Sequence, residues 1–220
     1  MDLTELIAQF RTFTKDKSEP YLWEDEDITL WFNEAEREAA LRARLLFDKT
    51  SDFCEISVVS GTSVYALSKF IHEIEYAYLV DSNDKNWVMR STDRMALDDN
   101  DIYWRENTDV PDKFIQDDTQ IELNAIIAAS YTLTMEVYRA PLINIEDSRY
   151  DEPEIALAHH EHLVKWVMHR AYLINDSDAY AAKLSKQYLK EFEDYFGLRP
   201  KAGLRKKEQI DRPQSNKVWI

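Results

Sequence analysis

Apolar and polar positions change rhythm twice along this chain, and the changes divide it. Residues 2–14 carry Leu3, Leu6, Ile7, Phe10 and Phe13 at helical spacing, with Asp2 and Glu5 placed as a capping box. Lys15 to Pro20 interrupts the pattern. A longer helix is expected from Asp25 to Phe47, opened by acids that suit the positive end of the backbone dipole. Ile28, Trp31, Phe32, Ala35, Ala39, Leu45 and Leu46 make its apolar stripe, and Arg37, Arg42 and Arg44 fall in its later half.

From Phe53 the period shortens. CEISVVSGTSVYAL reads as strand, turn and strand around Ser60-Gly61, FIHEIEYAYLV as another β run, Asp81 to Lys85 as a turn, and NWVMR as a return strand. A short helix fits within 92–100, and Pro111 to Phe114 opens a further strand series. In SYTLTMEVYRAP, Tyr131, Leu133, Met135 and Val137 alternate with Thr132, Thr134, Glu136 and Tyr138, the signature of a half-buried strand. Ala125 to Ala129 fits helix or strand. After Pro141 the helical period returns. Asp151-Glu152-Pro153 reads as a cap with proline at the first helical position, and Ile155, Leu163, Trp166, Val167, Ala171 and Ile174 carry that helix onward. Asn175 to Asp178 breaks and recaps the chain. The last helix, DAYAAKLSKQYLKEFEDYF, is expected to bury Ala181, Leu184, Tyr188 and Phe192 or Tyr195, and to stop at Gly197.

The order predicts an α+β fold. Two N-terminal and two C-terminal helices form a four-helix body from 1–50 and 141–197. A β-rich subdomain is inserted at 51–140, and residues 198–220 form an extended, basic C-terminal arm.

With 220 residues, 45% of them hydrophobic, the chain is long enough to bury roughly 70% of its unfolded surface. Only three glycines argue against a glycine-rich phosphate loop. The single cysteine, Cys54, has no intrachain partner for a disulfide. The start, MDLTELIAQF, carries two acids and no basic region, and no apolar run approaches the ~20 residues of a membrane span. A soluble protein made in a reducing cytoplasm, without a membrane partner, is expected.

Charge sharpens the division. From Gly197 to Ile220 there are seven Lys or Arg against two acids, while residues 1–196 carry 20 basic and 40 acidic side chains. An acidic body therefore ends in a basic arm, and the arm ends in Val218, Trp219 and Ile220. The body is a poor ligand for phosphates, whose affinity comes from Lys and Arg.

Candidate chemistry is sparse. His159, His160, His162 and His169 share one predicted helix, and His159 and His162 lie one turn apart, as metal ligands do. No carboxylate or cysteine completes a strong metal spacing, so polar positions on an interfacial helix are the simpler explanation. Asp98-Asp99 and Asp117-Asp118 have the composition of acid pairs but also of solvated turns. The sequence has no GxSxG, GxxxxGK[ST] or GxGxxG. No catalytic, cofactor-binding or metal residue is assigned, and the protein is not expected to be an enzyme. Six Trp and twelve Tyr exceed the needs of one core, and Trp87, Trp104 and Trp219 are candidates either for interfaces or for packing under loops.

Several segments resemble one family. WFNEAEREAALRARLL looks like the first long helix of tailed-bacteriophage head-to-tail adaptor proteins, which sit beneath the portal in the neck. SVVSGTSVYAL and MEVYRAP resemble that family's strands, although Ser68 stands where Pro often follows Tyr-x-Leu. HLVKWVMHRAYLINDSDAYAAKLSKQYLKEFEDYFGLRP is similar to its paired C-terminal helices. The resemblance implies a virion protein made in the host cytoplasm. It implies a homo-oligomeric ring, expected to be dodecameric, between the portal protein and tail or nozzle proteins. Genomic DNA is expected to pass through without sequence-specific binding, and no cofactor is implied. The resemblance also implies an arm that reaches onto the portal or a neighbouring subunit. Arg199, Lys201, Arg205, Lys206, Lys207 and Arg212 would steer it, and Val218, Trp219 and Ile220 would anchor it. The alternative is a nucleic-acid-binding or regulatory module that uses the same basic tail against phosphates.

Overall fold

A computed structural model describes residues 1–146, 151–174 and 180–200, and it is mixed α+β. Among the described residues there are five α-helices and eight strands. The helices are α1 (Leu3–Thr14), α2 (Asp25–Ala43), α3 (Arg94–Asn100), α4 (His160–Ala171) and α5 (Ala182–Phe196). The strands are β1 (Phe47–Asp48), β2 (Glu55–Val58), β3 (Val64–Ala66), β4 (Ile71–Val80), β5 (Asn86–Ser91), β6 (Lys113–Gln116), β7 (Gln120–Leu123) and β8 (Tyr131–Arg139). The chain divides into two compact units. One comprises Met1–Leu46 with Arg139–Arg199, and the other contains Phe47–Tyr138.

In the helical unit, the capping box at Asp2 forms. Its carboxylate accepts from the Glu5 amide at 2.8 Å, and Glu5 accepts from the Asp2 amide at 3.2 Å. α2 begins with Asp25, Glu26 and Asp27 in its first turn, matching the dipole. It stops four residues earlier than its apolar stripe suggests. Arg44 turns into the left-handed region at φ 53°, and Phe47 and Asp48 leave to pair with Tyr138 and Val137 of β8. The unit's core gathers Leu6, Phe10, Ile28, Phe32, Leu163, Val167 and Phe192.

The segment after Pro141 departs most from expectation. Asp151-Glu152-Pro153 caps no helix, and α4 starts only at His160, after a 3-10 turn at Leu157–His159. Polar side chains, two of them from α2, hold the described residues 142–146 and 151–155 in irregular form. Asn33 accepts from the Ile145 amide at 2.7 Å and donates to the Ile145 carbonyl at 2.8 Å. Glu36 accepts from the Ile155 amide at 3.2 Å. Glu154 accepts from the amide of Ile143 at 3.0 Å and from Arg139 at 2.7 Å. These partners satisfy the backbone groups that a helix would otherwise satisfy internally.

Glu36 is 1% exposed, and burial pushes its carboxyl up to about 7, against the lowering effect of the backbone amides it accepts from. An acid whose folded value is raised takes up a proton on folding between its ordinary value and about 7. Its contribution to stability is therefore greatest at acid pH and is lost as pH rises through that window. Glu36→Gln is expected to raise stability by on the order of 1–3 kcal/mol at about pH 8, with the gain vanishing toward about pH 5. Urea denaturation of both proteins across that range checks the sign.

α5 buries Phe192 and half-buries Tyr188, as expected, with Ser185 and Phe196 also facing inward, while Leu184 and Tyr195 are exposed. Contacts with α4 fix this face: His169 Nδ1 lies 3.0 Å from the Ser185 carbonyl, and the Trp166 and Phe192 rings sit 5.2 Å apart.

In the other unit the sheet order is β1-β8-β4-β5-β6-β7-β3, with β2 also paired to β8. The two strands around Ser60-Gly61 form, but they do not pair with each other: β2 joins β8, and β3 joins β7. Laid flat, those positions would lie about 29 Å apart at ~4.8 Å per strand. The connection from Val58 to Val64 spans at most about 21 Å. The sheet must therefore curl, and Gly61, at φ 86°, makes the turn that bridges its two ends. Its interior holds Ile74, Leu79, Phe114, Ile121, Leu123, Leu133, Met135 and Val137. The alternation in β8 is as expected, with Leu133, Met135 and Val137 buried. Ala125 to Ala129 forms neither helix nor strand. β5 and β6 run parallel, so the chain must cross over between them, and residues 92–112 make that crossover.

Candidate functional site

The described part of the arm is its root, and α2 and α5 build it together. Arg42 lies on the last turn of α2, one turn after Glu38. Its side chain is only 4% exposed. Nε donates to Glu38 at 3.0 Å, and Nη1 reaches Glu193 of α5 at 3.4 Å and the Gly197 carbonyl at 3.3 Å. The guanidinium carbon also lies 5.3 Å from the Phe192 ring centre and 5.4 Å from that of Trp166. One cation thus joins two helices and donates to the carbonyl of the residue that caps α5.

Gly197 ends α5 with φ 88°, a conformation that glycine adopts without steric cost. Its amide donates to the Glu193 carbonyl at 2.8 Å. Two residues on, Arg199 reaches the other oxygen of Glu38 at 3.5 Å while remaining mostly exposed. The last described residues after α5 are therefore held at Gly197 and Arg199, beside the Glu38 carboxylate. Of the residues assigned to the arm, Arg199 is the one whose surroundings are seen. Lys201, Arg205, Lys206, Lys207, Arg212, Val218, Trp219 and Ile220 lie outside the described residues.

The histidines serve helix packing. His160 is buried, and its Nε2 lies 2.9 Å from the Ile155 carbonyl. His162 stacks on Tyr195 with ring centres 3.5 Å apart, and His159 Nδ1 lies 3.1 Å from the Tyr195 hydroxyl. Burial holds both His162 and His169 below the usual imidazole range. Among the described residues no group of three or more His, Cys, Asp or Glu is arranged to hold a metal ion. Cys54 is fully buried beneath the curled sheet. No described helix is long and apolar enough to cross a membrane.

Both described tryptophans among the candidates serve packing. Trp104 is buried with Leu97 and Ile115, and its indole donates to Asp98 at 2.8 Å. That indole and Arg105 together hold the Asp98 carboxyl below the usual range, the Arg105 hydrogen bond contributing most. Trp87 is half-buried against the sheet core, with the Lys85 ammonium 3.8 Å from its ring centre. Trp219 lies outside the described residues. Arg42 was the functional side chain hardest to single out from sequence. The Glu38–Arg42 spacing of four was its signal, but such pairs are common on exposed helices.

A family model described as SU10 adaptor protein matches residues 1–216, and the chain belongs to that family of phage head-to-tail adaptors. Membership assigns a structural adaptor role, interaction with phage portal and tail proteins in general, and a place in the virion. The family is not an enzyme class. A search of curated proteins found no significant match.

Proposed function

We propose that the protein forms a ring of identical subunits beneath the portal, joins it to tail or nozzle proteins, and gives the genome a conduit. The match over residues 1–216 carries this proposal, because it spans both folded units and most of the arm. The four-helix body is the ring-forming part, the β-rich insertion faces tail components, and the arm from 198 onward docks on the portal or a neighbouring subunit. Twelve copies would match the portal's symmetry. The arm's excess of basic groups is attracted over distance to an acidic surface, and its Val-Trp-Ile end buries apolar area on arrival. The acidic body repels DNA phosphates, so DNA passes without adhering. No catalytic step and no cofactor enters this function.

Co-sedimentation with portal-bearing capsids tests the proposal, since binding should require the portal and be absent from portal-free shells. The cluster Arg199, Lys201, Arg205, Lys206 and Lys207 also suits a nucleic-acid-binding tail. That alternative demands a steep fall of DNA affinity between low and moderate salt. A gel-shift assay at two salt concentrations is expected to show no retained DNA at physiological ionic strength.

A further inference from the structure

The β5–β6 crossover exposes more apolar surface than its packing requires. Met95, Ile102 and Tyr103 are 68%, 69% and 69% exposed, within nine residues of chain. The segment is nevertheless firmly built. Asp93 caps α3 by accepting from the Ala96 amide at 2.7 Å. Leu97 and Trp104 anchor it on Ile115. Arg94 donates to both oxygens of Asp117, at 3.2 and 2.7 Å, and to Glu122 at 2.7 Å, tying α3 to the β6–β7 hairpin. The three side chains therefore project from a fixed platform.

The platform is also strongly acidic. Residues 93–112 contain seven acids and two bases, a formal charge of -5. Both bases are engaged locally, Arg94 as above and Arg105 with Asp98 at 2.8 Å. Asp99, Asp101, Glu106 and Asp109 are exposed around the apolar tip. The segment from Gly197 to Ile220 has the opposite composition, seven bases against two acids, and it too ends in an apolar tip.

We propose that this crossover is the docking surface for the C-terminal arm of a second copy of the chain. The match is both electrostatic and apolar. Basic residues of the arm face the exposed carboxylates, and Trp219 is the right partner for a methionine thioether, an isoleucine and a tyrosine ring. The 20 residues after Pro200 span up to about 65 Å when extended, enough to pass between subunits. Because donor and acceptor are different surfaces of one chain, the contact is heterologous, the type that forms rings when its rotation closes. In that respect the inference rests on the ring proposal and names one of its contacts.

Carbodiimide coupling tests it, because the reagent joins lysine directly to carboxylate. Full-length protein labelled with 15N is mixed with unlabelled full-length protein, coupled at high concentration, and digested for mass spectrometry. Mixed-isotope links from Lys201, Lys206, Lys207 or Lys217 to Asp99, Asp101, Glu106 or Asp109 are expected. Ile102→Ser with Tyr103→Ser, at exposed positions that leave the fold intact, should lower their yield about tenfold. Links within one copy only, links to other acidic surfaces, or no links at all would overturn the inference. Capsid binding by the same full-length protein is read separately. Arms that couple to portal acids but never to the crossover would overturn this inference and leave the ring proposal standing.

Discussion

Arg42→Ala is expected to destabilise the helical unit by about 3 kcal/mol, among the largest effects of any single substitution here. Removing the guanidinium leaves Glu38 and Glu193, both partly withdrawn from water, without the cation that joins them, and the exposed Arg199 offsets Glu38 weakly. Breaking one partner out of a buried charge network costs more than the network itself contributes, because the remaining charge stays desolvated. The packing of the Arg42 stem against Trp166 and Phe192 is lost as well. Arg42→Lys keeps the charge but not the forked geometry, and is expected to lose roughly 1 kcal/mol. Urea denaturation followed by circular dichroism orders the two variants. A loss for alanine no larger than that of an exposed ion pair, below about 1 kcal/mol, would mean the network is not a clamp. Because Arg42 also receives the Gly197 carbonyl, the alanine variant should free the arm's root and weaken capsid binding even where the unit stays folded.

Deleting residues 201–220 is expected to abolish binding to portal-bearing capsids and to leave stability unchanged. The deletion spares Gly197, Arg199 and every core residue of both units. It removes most of the arm's basic excess and the whole Val-Trp-Ile terminus. Long-range attraction and the apolar anchor are lost together, so affinity should drop below detection rather than by a graded amount. The single substitution Trp219→Ala separates the two contributions. It should weaken binding by at least 2 kcal/mol, roughly 30-fold, while binding keeps its salt dependence. Co-sedimentation at several salt concentrations measures both. Wild-type binding by the deletion variant would place the portal contact in the folded units.

Much of the fold was legible because burial leaves a period in sequence. β8 shows it most clearly, since one face packs inward and every second residue is apolar. α1 was legible to the residue because its capping box is local. The misread elements were set by distant partners. Asp151-Glu152-Pro153 has the local grammar of a helix start, yet Asn33 and Glu36, more than a hundred residues earlier, hold nearby backbone in another form. β2 and β3 form on either side of the glycine turn as read, but sequence did not reveal that each pairs elsewhere across the curled sheet. On α5 the inward side was legible at Tyr188 and Phe192, but Ser185 is buried where Leu184 was expected, because it packs on His169 of α4. The arm's basic composition is plain from sequence. Its root is not, because Arg42 becomes notable only when α2 and α5 bring Glu38, Glu193 and Gly197 around it. The apolar tip of the crossover was hidden for a related reason. Met95, Ile102 and Tyr103 look like ordinary core residues until Leu97 and Trp104 are seen to occupy the core instead.

Electron cryomicroscopy of portal-bearing capsids incubated with the full-length chain tests the adaptor account most directly. The account predicts a closed ring of copies directly beneath the portal, with one extended segment leaving each copy from the end of α5. Bare portals, or protein bound to the shell away from the portal vertex, would contradict it.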